Sequence, residues 1–160
     1  MPSFDIKSEL NSHEVTNAVD QADRIINNRF DFKGKGAKFV LGDGMITLHS
    51  QEEFQLHQML PILKESLTKR GIDLKCLKAE EIEVSIGKTS QQIILKEGID
   101  KETSKKITQI IKSSHKKVKV VILGENIRIS GKKRDILQEI IQSIKSAKID
   151  IPLQFENFRD

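Results

Sequence analysis

The densest run of usable chemistry in the chain is Ser130-Gly131-Lys132-Lys133-Arg134-Asp135. Behind it Ile136, Leu137, Ile140, Ile141 and Ile144 recur at helical spacing, so the run predicts a helix that opens on three cations. A cation at a helix N-terminus opposes the macrodipole, at a cost of about 0.3–1 kcal/mol each. The same position offers free backbone N–H groups and positive potential, the makings of a phosphate site. Two readings follow: phosphate-binding cations, or three solvated side chains moderated by Asp135.

Other motifs carry less. Gly87-Lys88-Thr89 has the tail of a phosphate-binding loop, but the glycine required five residues earlier is Ile82, and Ser90 to Ile94 lead into a strand. A tight turn before a strand is the expectation there, with Lys88 kept as a second phosphate candidate. His13, His49, His57 and His115 show no metal-ligand spacing with one another or with Cys76, so no metal site is expected. Cys76 reads as a small buried apolar residue. No catalytic residue is flagged and no cofactor is implied, which favours a binding protein over an enzyme. An enzyme would need groups converging from distant positions.

The aromatic content points the same way. Seven Phe occur with no Trp or Tyr, and the strand expected at Asn126 to Ser130 offers Arg128 and no aromatic. A base-stacking sheet of the RNA-recognition type is therefore disfavoured. Phe39 and Phe54 are expected in the core. Phe30, Phe32, Phe155 and Phe158 are assigned to packing in preference to base stacking.

The bulk composition sets the frame. The chain has 160 residues, 27 Lys and Arg against 23 Asp and Glu, and a formal charge of +4. Residues 1–80 hold 11 basic and 12 acidic side chains, whereas residues 81–160 hold 16 and 11. Seven lysines lie between Lys101 and Lys119 against one acid, Glu102, a solvated helix face or a phosphate-facing one. A single cysteine excludes a disulfide-rich module and favours a reducing compartment. The start MPSFDIKSEL is not signal-like, and Val120 to Leu123 is far short of the ~20 apolar residues of a membrane span. A cytoplasmic monomer without membrane association is the expectation.

Positioning falls to two similar halves. Ser3 to Ser8 alternates as a strand. Asn11 or Ser12 caps a helix striped by Val15, Ala18, Val19, Ala22, Ile25 and Ile26. Phe39 to Leu41, Gly42-Asp43-Gly44 and Met45 to Leu48 signal a hairpin. Ser50-Gln51-Glu52-Glu53 reads as a capping box for a helix carrying Leu56, Leu60, Leu63 and Leu67, kinked at Pro61 and closed by Lys69-Arg70-Gly71. Ile72 to Val84 supplies one or two strands. The order recurs with a strand at Gln92 to Lys96, a helix capped by Asp100 with Ile107, Ile110 and Ile111 inward, and a hairpin across Gly124-Glu125-Asn126. The cationic helix and a strand around Leu153 and Phe155 complete it. Each half predicts an α+β, ferredoxin-like βαββαβ unit with an antiparallel sheet and helices on one face. Residues 78–91 are the expected connection.

The segments Met1-Pro2-Ser3-Phe4-Asp5-Ile6, Asn17-Ala18-Val19-Asp20, Arg29-Phe30-Asp31-Phe32, Lys69-Arg70-Gly71, Gly87-Lys88-Thr89, Gly131 to Asp135 and Gln154-Phe155-Glu156-Asn157-Phe158-Arg159-Asp160 together resemble the YajQ family of bacterial proteins. The resemblance runs through essentially the whole chain, and the two end motifs are its most specific part. It implies nucleotide binding, with nucleic acid, GTP or ATP, or cyclic di-GMP as ligand, and a regulatory role. It also implies two ferredoxin-like units that exchange their first strands, residues 10–97 forming one and residues 1–9 plus 98–160 the other. Ser3–Ser8 would then join the sheet of the second unit and Gln92–Lys96 that of the first, bringing both end motifs beside Lys132–Asp135. On this reading Lys132, Lys133 and Arg134 contact phosphate, with Lys88 as a second candidate, and Asp135 belongs to the same ligand-binding set. Asp5, Asn157, Arg159 and Asp160 supply polar contacts, and Phe4 or Phe158 a stacking face. The competing class is an adaptor whose basic surface binds an acidic protein partner and regulates transcription.

Overall fold

The computed structural model describes all residues from Met1 to Asp160. The chain divides into two compact units, Leu10–Lys96 and Met1–Glu9 with Glu97–Asp160.

In the Leu10–Lys96 unit, α1 (Ser12–Asn27) starts where the Asn11 side chain accepts the backbone N–H of Glu14 at 3.2 Å. Its stripe Val15, Ala18, Val19, Ala22 and Ile26 is buried. β2 (Lys38–Gly42) and β3 (Met45–Ser50) form a two-residue hairpin. Asp43 and Gly44 both hold positive φ, 53° and 72°, as a turn matched to strand twist requires. α2 (Glu53–Lys69) runs through Pro61, and Gly71, at φ 79°, lets the backbone N–H of Ile72 return to the carbonyl of Leu67. β4 (Leu77–Ala79), β5 (Glu83–Ser85) and β6 (Lys88–Leu95) complete the sheet, in the order β2-β3-β6-β4 with β5 also on β6.

Three local expectations are corrected. Ser50 does not cap α2: its hydroxyl bonds the Glu52 carbonyl at 2.6 Å and shares a 2.9 Å bond with the Thr89 hydroxyl, and Glu52 at the N-cap makes no side-chain cap. A buried cross-strand partner outcompetes the local cap. Phe54 is 64% exposed. The buried stripe is set by Leu56, Met59 and Leu63, and two residues of helix rotate Phe54 about 200° away from Leu56. Residues 78–91 are not a connection, because they contain β4's end, β5 and the start of β6, the inner strand of this sheet. Gly87, at φ 71°, turns the β5–β6 hairpin, so a tight turn precedes the strand that Lys88 and Thr89 begin, as expected.

The other unit holds β1 (Ser3–Lys7), α3 (Lys101–Ser114), β7 (Lys119–Leu123), β8 (Asn126–Ser130), α4 (Arg134–Ser146) and β9 (Gln154–Arg159). The Asp100 side chain accepts the Thr103 N–H at 2.8 Å and starts α3. The sheet order is β7-β8-β1-β9, all antiparallel. Hairpin strands, exchanged strand and last strand take the same places as in β2-β3-β6-β4. Each sheet thus has ferredoxin-like topology, with the first-strand place taken by β1, from before the Leu10–Lys96 unit, in one and by β6, from the end of that unit's own sequence, in the other. Phe4, Ile6, Ile107, Ile111, Ile127, Ile129, Leu137 and Ile140 form part of its core.

Cys76 is fully buried in the Leu10–Lys96 unit, and burial pushes its thiol up to about 11. The thiolate is the nucleophile, so iodoacetamide at pH 8 should leave native Cys76 unmodified and label it only in denaturant. Equal labelling rates in both conditions would refute this placement.

Candidate functional site

The end motifs meet because β1 lies between β8 and β9. Asp5 on β1 pairs in register with Arg128 on β8. Its carboxylate accepts Arg128 Nε at 2.8 Å and Nη2 at 3.3 Å, and Asn157 Nδ2 at 2.7 Å. The Arg128 hydrogen bonds hold the Asp5 carboxyl below its usual range against the opposing effect of burial, with Asn157 adding to the shift. Ser3 pairs with Arg159 but Asp5 with Glu156, so β9 carries one extra residue at this point. Asn157 takes the left-handed conformation at φ 58°, which asparagine tolerates better than most residues. Arg159 Nε donates to Asn157 Oδ1 at 3.3 Å.

The far end of the motif reaches α4. Lys133 is the N-cap residue, with extended backbone and no side-chain capping bond, and Asp135 is the one acid of the first turn. Arg134 forms a two-pronged ion pair with Asp160, Nε to Oδ1 at 2.6 Å and Nη2 to Oδ2. Both side chains stay about 70% exposed, at 71% and 69%. The guanidinium of Arg134 holds the Asp160 carboxyl below its ordinary range. Beside the pair, Phe158 is 56% exposed and stacks on Phe4, with ring centroids 5.7 Å apart and planes 24° apart. Pro2, Ser3, Arg134, Gln138, Phe158 and Asp160 help line a pocket of about 270 Å³. It combines an aromatic face, a guanidinium and the uncapped first turn of a helix. That set suits an anionic ligand with a flat body.

A family model described as "Nucleotide-binding protein YajQ-like" matches residues 2–159. The chain belongs to the YajQ-like family. This YajQ-like chain is 50% identical over 160 residues to a nucleotide-binding protein of Bordetella avium strain 197N, each covered in full. It is 49% identical over 160 residues to one of Coxiella burnetii strain Dugway 5J108-111 and 50% identical over 161 residues to one of Nitrosococcus oceani, again over the full length of both chains.

The residues singled out from sequence separate into groups. Arg134, Phe158 and Arg159 line the pocket, with Lys133 and Asp135 flanking Arg134 in sequence. Asp5 and Asn157 are committed to the network with Arg128. Phe4 is fully buried, so its ring supports Phe158 and offers no free stacking face. Lys132 lines a different cavity, with His115, Lys116 and Lys117. Lys88 belongs to the Leu10–Lys96 unit, exposed at the start of β6. Sequence reasoning missed Arg128 as the partner of Asp5, since 123 residues separate them. Phe155 packs at a tilt against Phe4, and Lys145 Nζ lies 5.7 Å from its ring centroid.

No helix is long and apolar enough to cross a membrane.

Proposed function

We propose that this protein is a non-enzymatic nucleotide-binding protein whose ligand is cyclic di-GMP, another nucleotide or RNA, acting as a cytoplasmic regulator. The phosphate would meet Lys133, Arg134 and the free N–H groups of α4, and the base would lie on Phe158. The observation that carries this reading is the juxtaposition of an uncapped, cationic helix start with a half-exposed ring and an arginine whose partner is an exposed carboxylate. Asp160 occupies Arg134 as an anion does, so a phosphate would displace it. The family and the names of the relatives support nucleotide as the ligand class.

The test is a titration with cyclic di-GMP, GTP, ATP and single-stranded RNA at several salt concentrations. One of them is expected to bind saturably, and Lys133→Ala with Arg134→Ala to weaken it about tenfold or more. The helix should hold in that variant, since cations at its start oppose the dipole. RNA binding should fall with log salt by roughly 0.7 per phosphate contact, and a compact dinucleotide less steeply. No saturable binding to any of the four would sink the proposal. A second reading, an adaptor for an acidic protein, draws on the exposed Lys101, Lys105 and Lys106 of α3. A stoichiometric protein partner recovered after nuclease treatment would favour it.

A further inference from the structure

A second cavity, of about 420 Å³, opens where α3 ends, β7 begins and α4 starts. Its volume falls in the range of roughly 300–1,000 Å³ typical of small-molecule sites. Val118, buried, and Ile136, half-buried, give it an apolar floor. Lys116, Lys117 and Lys132 stand on its lining, all exposed, and no acidic residue lines it.

Two features set these lysines apart from an ordinary solvated face. The stabilising role of a cation at a helix C-terminus is already filled by Lys112, whose ammonium donates to the carbonyls of Val118 and, at 3.5 Å, of Lys116. None of the three lining lysines makes a salt bridge, and all three border this one cavity. An anion entering the cavity would meet three positive charges and no carboxylate on its lining. The second feature is His115, also on the lining. Its Nε2 engages Glu139 Oε2 at 2.9 Å, while its Nδ1 is buried with no hydrogen-bond partner. A buried polar nitrogen left unpaired is costly, and the turn from α3 into β7 carries that cost in the wall of the cavity. The walls have little slack: a Cβ at Gly131 would come within 3.2 Å of both Val118 Cγ1 and Leu137 Cδ2. The β8–α4 loop is thus drawn tightly against the cavity floor, which favours a preformed pocket.

We propose that this cavity binds a small phosphorylated molecule with an apolar body. The phosphate is held by Lys116, Lys117 and Lys132, and the apolar part rests on Val118 and Ile136. The site does not depend on the nucleotide reading of Arg134 and Phe158, which line a different pocket. A nucleoside monophosphate and a non-nucleotide aryl phosphate share the required chemistry, and the experiment separates them.

Amide and side-chain NMR shifts of the full chain are followed with three probes: phenyl phosphate, 5′-GMP and inorganic phosphate. Saturable shifts at Val118, Lys132 and Ile136 are expected with an organic phosphate. Inorganic phosphate alone should bind at least about tenfold more weakly, because it cannot use the floor. The triple variant Lys116→Ala, Lys117→Ala, Lys132→Ala should weaken organic phosphate binding about tenfold or more. Lys132→Glu, which puts a negative charge on the lining, should also weaken it and guards against a folding defect in the triple variant. Saturation by GMP assigns a nucleotide source, and saturation by phenyl phosphate alone a non-nucleotide one; either supports the site. No shift at these residues with either organic probe overturns it, as does inorganic phosphate binding equally well or a triple variant that binds as tightly. Shifts with GMP confined to Arg134 and Phe158 overturn this site while leaving the nucleotide reading standing.

Discussion

Phe4→Ala should cost about 3–5 kcal/mol of folding stability, the range for removing a fully buried aromatic ring. Phe4 has no exposed surface, stacks on Phe158 and packs at a tilt against Phe155. It also sits on the strand that both β8 and β9 need as a hydrogen-bonding neighbour. The loss is large beside a typical total stability of about 5–15 kcal/mol. Chemical denaturation would report it as a lower midpoint, and amide exchange would speed up in β8 and β9. A change under about 1 kcal/mol would mean that β1 is dispensable to this sheet, contrary to its central place. Because Phe158 leans on Phe4, any ligand stacked on Phe158 should also bind less well in this variant.

Asp5→Asn should cost about 1–3 kcal/mol at neutral pH, since it removes the carboxylate charge that pairs with Arg128 and weakens three hydrogen bonds. The pH dependence is the sharper measurement. The folded Asp5 carboxyl titrates below its ordinary value of 3.8. Its contribution is therefore complete above that value and is lost as pH falls through the lower, folded one. Urea denaturation from pH 6 to pH 2 should show the gap between the native chain and Asp5→Asn closing across the acid end of that range. Parallel curves would show that the Arg128 pairing adds nothing to stability.

The two experiments test one cluster in two ways. Phe4 and Asp5 are successive residues of β1 and face opposite sides of the sheet, as strand alternation requires. One side feeds the core and the other organises Arg128, Asn157 and Arg159. The bulge at Asn157 gives the last residues of β9 their register against Ser3, next to the Arg134–Asp160 pair. An end motif with Asn, Phe, Arg and Asp in succession thus acquires separate roles: a bulge, a ring face, a bridge and an ion pair.

Much of this was legible in the residues themselves. Apolar residues every three or four positions marked the four helices, since a helix turns about 100° per residue. Gly42-Asp43-Gly44 and Gly124-Glu125-Asn126 marked hairpins, because a tight turn demands positive φ that few residues supply. Asp100 and the pair Asn11-Ser12 marked helix starts through short side chains that reach a backbone N–H, and the structure chose Asn11 of the pair. The cluster at Lys132 to Arg134 stood out because charge at a helix start is a local quantity. Ser50 and Phe54 were misread where tertiary partners outweighed local preference.

Pairing across the chain had no such local signal. Composition and periodicity specify that Ser3 to Lys7 is a strand with one buried face, but strand faces are generic and many neighbours would satisfy them. Family resemblance pointed to the exchange; the tertiary structure decided the registers, placing Asp5 against Arg128 and Asn157 over separations of 123 and 152 residues. It also divided the basic cluster, sending Lys132 to the cavity with Lys116 and Lys117 and Arg134 to the pocket with Phe158. Neighbours in sequence at a helix start point in different directions, and the surroundings that each side chain meets are set by elements folded in from far along the chain.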